Sequence, residues 1–383
     1  MSTTINSLYP GMVAPNTRNW QTALHPDVSS LLGRLYPQDQ VSLSPTAKLM
    51  LMVQEQMAKA AGGGAAMPST EERWAALQQI AAAAAQGTPL WQGGDVAPAS
   101  STADTPTSMT VSAHTFVTGY ERAVVTGGSG GDDIQALNDV VISGGVGDDH
   151  LYARSSAVLS GGDGRDWLQA GKNAVISGGA GSDHVYVNSN AVVSLDEGDD
   201  MVLASGDNCV ISGGSGRDRI DVRGANAIVS GGDDEDIIMT GQNAQVSGGT
   251  GQDEITTGAG STVEGGEGND VLYVAHDSTI VFGRGDGQDR VYGYLRSAHA
   301  GSGGNNYGAA SGFVRDSTIA FREGVSASDL AVSEADGNLT IAINGTTDRM
   351  TIYGYSDQDN LKLSFADGTT AALASFPRQA PSA

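Results

Sequence analysis

The chain has 383 residues, of which 54 are glycine and only 5 % are aromatic, and its formal charge is −24. Glycine at about twice its usual share, with so few aromatics, excludes a conventional globular core over most of the length. A negative field of this size repels nucleic acid and anionic headgroups and attracts cations. The single cysteine, Cys209, excludes an intrachain disulfide. No apolar run is long enough for a membrane-crossing helix.

In chain order, the first residues, MSTTINSLYPGM, lack the basic and apolar regions of a cleaved leader. Residues 1–91 read as a small helical region. Ser44 and Pro45 have the order of an N-cap and a first helical position. Leu49, Val53, Met57 and Ala60 follow at helical spacing, and Gly62 to Gly64 end the run. A second helix starts where Ser69 and Glu72 have capping-box spacing; Trp74, Leu77, Ile80, Ala81 and Ala84 line one side of it. Such helices would pack on each other or cover the open end of a downstream repeat array. Residues 92–108, rich in Gly, Pro, Ser and Thr, read as a linker, and residues 109–126 as a coil without an acidic turn.

From Gly127 to about Tyr292 one phrase returns about ten times. It is a glycine-rich turn closed by an aspartate and followed by a short β-type run, as in GGVGDDHL at Gly144, GGDGRDWL at Gly161 and GGAGSDHV at Gly178. The closing aspartates are Asp132, Asp149, Asp166, Asp183, Asp200, Asp218, Asp236, Asp253, Asp270 and Asp289. The pattern predicts an all-β solenoid, a parallel roll of about ten coils of 17–18 residues, with two short strands per coil and a C-terminal β cap.

Alternation along each strand assigns directions. Ile134, Leu151, Leu168, Val185, Val202, Ile220, Ile238, Ile255, Leu272 and Val291 follow the aspartates by two and face in. On the second strand Ile142, Leu159, Ile176, Val193, Ile211, Val229, Val246 and Val263 face in, beside a small column of Ala157, Ala174, Ala191, Cys209, Ala227 and Ala244. Cys209 therefore reads as a structural residue in an alanine slot. Asn173, Asn190, Asn208, Asn226 and Asn243 recur once per coil, as a hydrogen-bonded amide ladder requires. Val141, Val158, Val175, Val192, Val210 and Ile228 should point outward, an apolar stripe suited to the N-terminal helices or to self-association with a second copy. His150, Tyr152, Trp167, His184, Tyr186, Met201 and Leu203 line the other outer face, where aromatics permit contact with a surface protein or glycan.

The phrase GGxGxDxUx resembles the nonapeptide of the RTX (repeats-in-toxin, haemolysin-type) calcium-binding β-roll. Seven copies keep both leading glycines and the fourth-position glycine, beginning at Gly127, Gly144, Gly161, Gly178, Gly213, Gly248 and Gly265. The resemblance implies that the ten aspartates bind Ca²⁺ together with turn carbonyls near Gly128, Gly130, Gly145, Gly147, Gly162, Gly164, Gly179, Gly181, Gly214, Gly216, Gly249, Gly251, Gly266 and Gly268. Hard anionic and carbonyl oxygens, without sulfur or histidine, suit that ion. The family's roll carries a calcium turn on both sides of each coil. Here the second half-turn, such as AGKNAVIS, has no aspartate, so several ions are expected in what is mostly a single row. Two copies depart further: Leu195-Asp196 replaces a leading glycine pair, and Asp234 replaces a fourth-position glycine.

On this reading residues 109–296 are the calcium-binding roll and 297–312 a glycine-rich loop. Residues 313–383 form a β cap with turns at Asp336-Gly337 and Asn344-Gly345. Residues 283–370 resemble the segment that follows RTX repeats in proteins exported by bacterial type I machinery. The resemblance implies an uncleaved C-terminal signal and an extracellular location. No HExxH motif occurs, and Ser129 of the formal GxSxG lies inside an acidic turn rather than on a nucleophile elbow. Two function classes stand side by side: a secreted calcium-dependent binding, adhesion or effector module, with no catalytic residue assigned, and a secreted glycan-acting hydrolase or lyase working through the solenoid face.

Overall fold

The computed structural model describes residues 123–293 and 314–376, apart from 357–358, with short strands at Ser42–Leu43, Trp91–Gln92, Thr107–Thr110, Phe116–Tyr120 and Arg378–Gln379. The two helices expected within residues 1–91, most of the linker and the loop at 297–312 lie outside the described residues. The described residues divide into two compact units, one up to Asp233 and one from Asp234 onward. Each unit is a parallel β-solenoid, and about ten acidic turns are distributed between them.

In the first unit each coil runs along one side just after the aspartate and returns along the other to the next glycine turn; the first two coils do so in one continuous strand, Asp133–Val146 and His150–Asp163, and the later ones in two. The coil closed by Asp166 runs Trp167–Ala170, turns at Gly171–Asn173, and returns along Val175–Ala180. Register is constant. Trp167 pairs with His184, His184 with Met201, and Met201 with Arg219. On the return side Val175 pairs with Val192, Val192 with Val210, and Val210 with Ile228. Parallel coils in one register place like residues on like, which is why the sequence columns become physical stacks.

The two inward columns and the small column are buried throughout, with Leu168, Ile176 and Cys209 all at 0 % exposure. The asparagines stand in the left-handed region, Asn173 at φ 58° and Asn208 at φ 60°, a conformation that asparagine tolerates better than most residues. Their amides form the expected ladder: Asn190 donates to Asn173 at 3.1 Å, Asn208 to Asn190 at 3.2 Å, and Asn226 to Asn208 at 3.2 Å.

The valine stripe requires a correction. Val141, Val175, Val192, Val210 and Ile228 are all buried, at 3 % exposure or less, and Val158 is half-buried. Ser177, Ser194 and Ser212, which share their side of the strands, are buried as well. Alternation reports which way a side chain points, and exposure depends on what lies over it. The stripe is therefore not open to solvent, although its side chains point away from the inward columns.

The second unit repeats the plan. Glu254–Thr257, Val271–Val274 and Gln288–Gly293 form one parallel ladder, which Arg349–Tyr353 extends. Gln245–Gly251, Thr262–Gly268, Thr279–Phe282, Thr318–Phe321 and Lys362–Phe365 form the other. The chain then changes to antiparallel pairing: Asn338–Ile343 lies between Leu330–Ala335 and Arg349–Tyr353. The positive φ values of Asp336, Gly337 and Gly345 mark the turns read from the sequence. Phe282, Phe321 and Phe365 fill this end, the last two stacked at 5.3 Å.

Candidate metal centre

All ten turn-closing aspartates are buried, with 3 % exposure or less. Their first oxygens form a ladder along the coils. The backbone N–H of Asp132 donates to Oδ1 of Asp149 at 2.7 Å, that of Asp149 to Asp166 at 2.8 Å, and that of Asp166 to Asp183 at 2.8 Å. Asp183 donates to Asp200 at 2.6 Å and Asp200 to Asp218 at 2.9 Å. In the second unit Asp236 donates to Asp253, Asp253 to Asp270 and Asp270 to Asp289, at 2.9 to 3.0 Å.

The second oxygens are different. Oδ2 of Asp149, Asp166, Asp183, Asp200, Asp253 and Asp270 is buried and accepts no hydrogen bond. Except at Asp200, whose turn opens on Leu195, each lies where a leading glycine leaves room for it. A methyl carbon on Gly144 would collide with Asp149 Oδ2 and stand 2.7 Å from the carbonyl oxygen of Gly161. On Gly161 it would meet Asp166 Oδ2 and the Gly178 carbonyl, and on Gly178 Asp183 Oδ2 and the Leu195 carbonyl. Gly248 and Gly265 cradle Asp253 and Asp270 in the same way. Each cradle thus gathers a carboxylate oxygen, beside a carbonyl oxygen of the next coil at Gly144, Gly161, Gly178 and Gly248.

A buried acceptor without a donor is costly unless a proton or a cation reaches it. Burial is the largest influence on these carboxyls and raises them, neighbouring carboxylates add to it, and the single backbone donor opposes it. Asp149 and Asp253 rise to about 6. Asp166, Asp183, Asp200 and Asp270 rise to about 7, and Asp289 to about 8.

The donor set fits a hard cation. Among the described residues no three His, Cys, Asp or Glu side chains form a metal-holding group. An ion bound at these turns would combine a carboxylate with backbone carbonyls and water, a shell that Ca²⁺ accepts. The second and fourth glycines named from the sequence supply stacked carbonyls: that of Gly128 lies against Gly145, Gly145 against Gly162, Gly147 against Gly164 and Gly249 against Gly266. From Gly145 to Gly268 these glycines have φ between 109° and 159°, which bars other residues.

Sequence reasoning read the leading glycines Gly144, Gly161, Gly178, Gly248 and Gly265 as part of the repeat but did not place them at the site. Their signal was present: a glycine that recurs where no positive φ is needed marks close approach. In the copy that opens on Leu195, Asp196 takes the second-glycine position at φ 75°, held by the hydroxyls of Ser177 and Ser194. The last turn is satisfied by the chain itself. Asp348 accepts from the N–H groups of Gly285 and Gly287 at 2.9 and 3.1 Å, and Arg322 pairs with buried Asp286 and, at 3.2 Å, with Glu264.

Cys209 lies in the first unit with its thiol directed at the Asn188 carbonyl, 3.2 Å away, and burial raises it to about 11. It should resist alkylation while the solenoid is folded and react once it opens, so thiol labelling against time reports folding directly. The chain matches no protein-family model and no curated protein.

Proposed function

We propose that the chain is a calcium-binding β-roll of the RTX type, which folds on Ca²⁺ and acts outside the cell as a binding, adhesion or effector module. One observation carries the reading: buried Oδ2 atoms without donors, repeated coil after coil beside backbone carbonyls. The charge of −24 makes the calcium-free chain self-repelling, and a site absent from the unfolded chain links binding to folding. Export by type I machinery agrees with this coupling. The chain would stay unfolded at cytosolic calcium, below ~1 µM, and fold at an extracellular level near ~1 mM.

Calorimetric calcium titration, followed in parallel by circular dichroism, tests the proposal at pH 7.5. The expected result is a cooperative gain of β signal with several ions bound per chain, reversed by chelator. A β-rich spectrum unchanged in excess chelator would overturn it.

A further inference from the structure

We infer that the outer face of the first unit's early coils binds an uncharged oligosaccharide, a step that rests on the extracellular binding role proposed above. A groove of ≈ 510 Å³ crosses three coils there, lined by Asp133, Gln135, His150, Tyr152, Trp167 and Gln169. Trp167 and Tyr152 are the large side chains it leaves open, at 42 % and 40 % exposure.

The stacking is asymmetric. Toward the following coil Trp167 is covered, its ring parallel to His184 at 5.7 Å and stacked on Tyr186 at 4.8 Å. Toward the preceding coil its ring neighbour among the described residues is His150, whose ring stands at 80° and 6.5 Å away. One indole face is therefore braced from behind and free in front. A rigid aromatic plane loses little freedom on binding, and its electron-rich face attracts the weakly positive C–H groups of a sugar ring.

The polar lining matches hydroxyl chemistry. Gln135 and Gln169 offer both donors and acceptors, and Asp133 offers acceptors only. Gln135 already reaches toward Asp133 at 3.3 Å, which orients its amide. Asp133, within a chain of charge −24, disfavours uronate, sulfate or phosphate groups on the ligand. The lining forms two rows, Asp133–His150–Trp167 and Gln135–Tyr152–Gln169, and rows with one side chain per coil, ~4.8 Å apart, suit an extended chain of repeating units better than a compact small molecule.

The test uses the full chain in calcium, shown to be folded by circular dichroism and thiol protection of Cys209. It is applied to an array of neutral, acidic and amino oligosaccharides, with affinities then measured for Trp167→Ala and Gln169→Ala. The expected result is selective binding of neutral oligosaccharides, weakened roughly tenfold or more by Trp167→Ala, with calcium-induced folding unchanged in both variants. Folded protein that binds no neutral oligosaccharide, prefers acidic ones, or is indifferent to Trp167→Ala overturns the inference and leaves the calcium reading standing. Failure to fold on calcium overturns the calcium reading, and the inference falls with it.

Discussion

With calcium chelated, the protein should keep its β signal near pH 5 and lose it as pH rises through about 6 to 8. The unfolded aspartate titrates near ~3.9, whereas burial holds Asp149, Asp166, Asp183, Asp200, Asp253, Asp270 and Asp289 at about 6 to 8 in the fold. Across that interval the folded state retains protons that the unfolded state has released. Stability from this source is complete below the unfolded value and is lost as pH passes the folded values. On the calcium reading proposed above, a proton on Oδ2 would do for the calcium-free cradle what a cation would do for the loaded one.

Calcium should invert the trend, because the ion requires the carboxylate. The calcium concentration needed for folding should fall as pH rises over the same range. Asp183→Asn separates the two effects. It keeps an oxygen for the Asp166 N–H and turns Oδ2 into a donor facing the Leu195 carbonyl. This variant should soften the pH loss in chelator and weaken calcium binding. Denaturation midpoints against pH, with and without calcium, decide the matter. A chelated protein whose stability is flat from pH 5 to 8 would show that the column carries no excess protons.

The period, the inward columns and the amide ladder were all legible in the sequence, because each depends on residues of one type at one spacing. A parallel solenoid converts spacing directly into stacking. Features that depend on partners at irregular distances were not legible. Arg322 reaches Asp286 and Glu264 from a strand far along the chain, and no local pattern announces it. The valine stripe misled for a related reason: alternation along one strand gives its direction but not its exposure, and the structure buries it. The acidic turns were legible as a stacked column of carboxylates by their spacing. Their actual device, an orphaned oxygen set against a glycine that leaves room for it, became visible only with the backbone in place.

That device makes the leading glycine a steric position, so Gly161→Ala should cost about 3 kcal/mol, a large share of a typical fold's ~5–15 kcal/mol. The added carbon would strike Asp166 Oδ2 and stand 2.6 Å from the Gly178 carbonyl. Neither can yield cheaply. Oδ1 of Asp166 is tied to the Asp149 N–H at 2.8 Å, and Gly178 lies between Ser177 and Gly179, both in register with the next return strand. Gly337→Ala is the control. Its φ of 72° penalises alanine, but no atom lies within 4 Å of the new carbon, so the loss there should be about 1 kcal/mol. Chemical denaturation of both variants in saturating calcium measures the difference. The calcium titration of Gly161→Ala should also lose binding at one cradle while the coils beyond keep theirs. Equal losses at Gly161 and Gly337 would mean that backbone freedom, rather than close approach of the carboxylate, explains the recurring glycine pair.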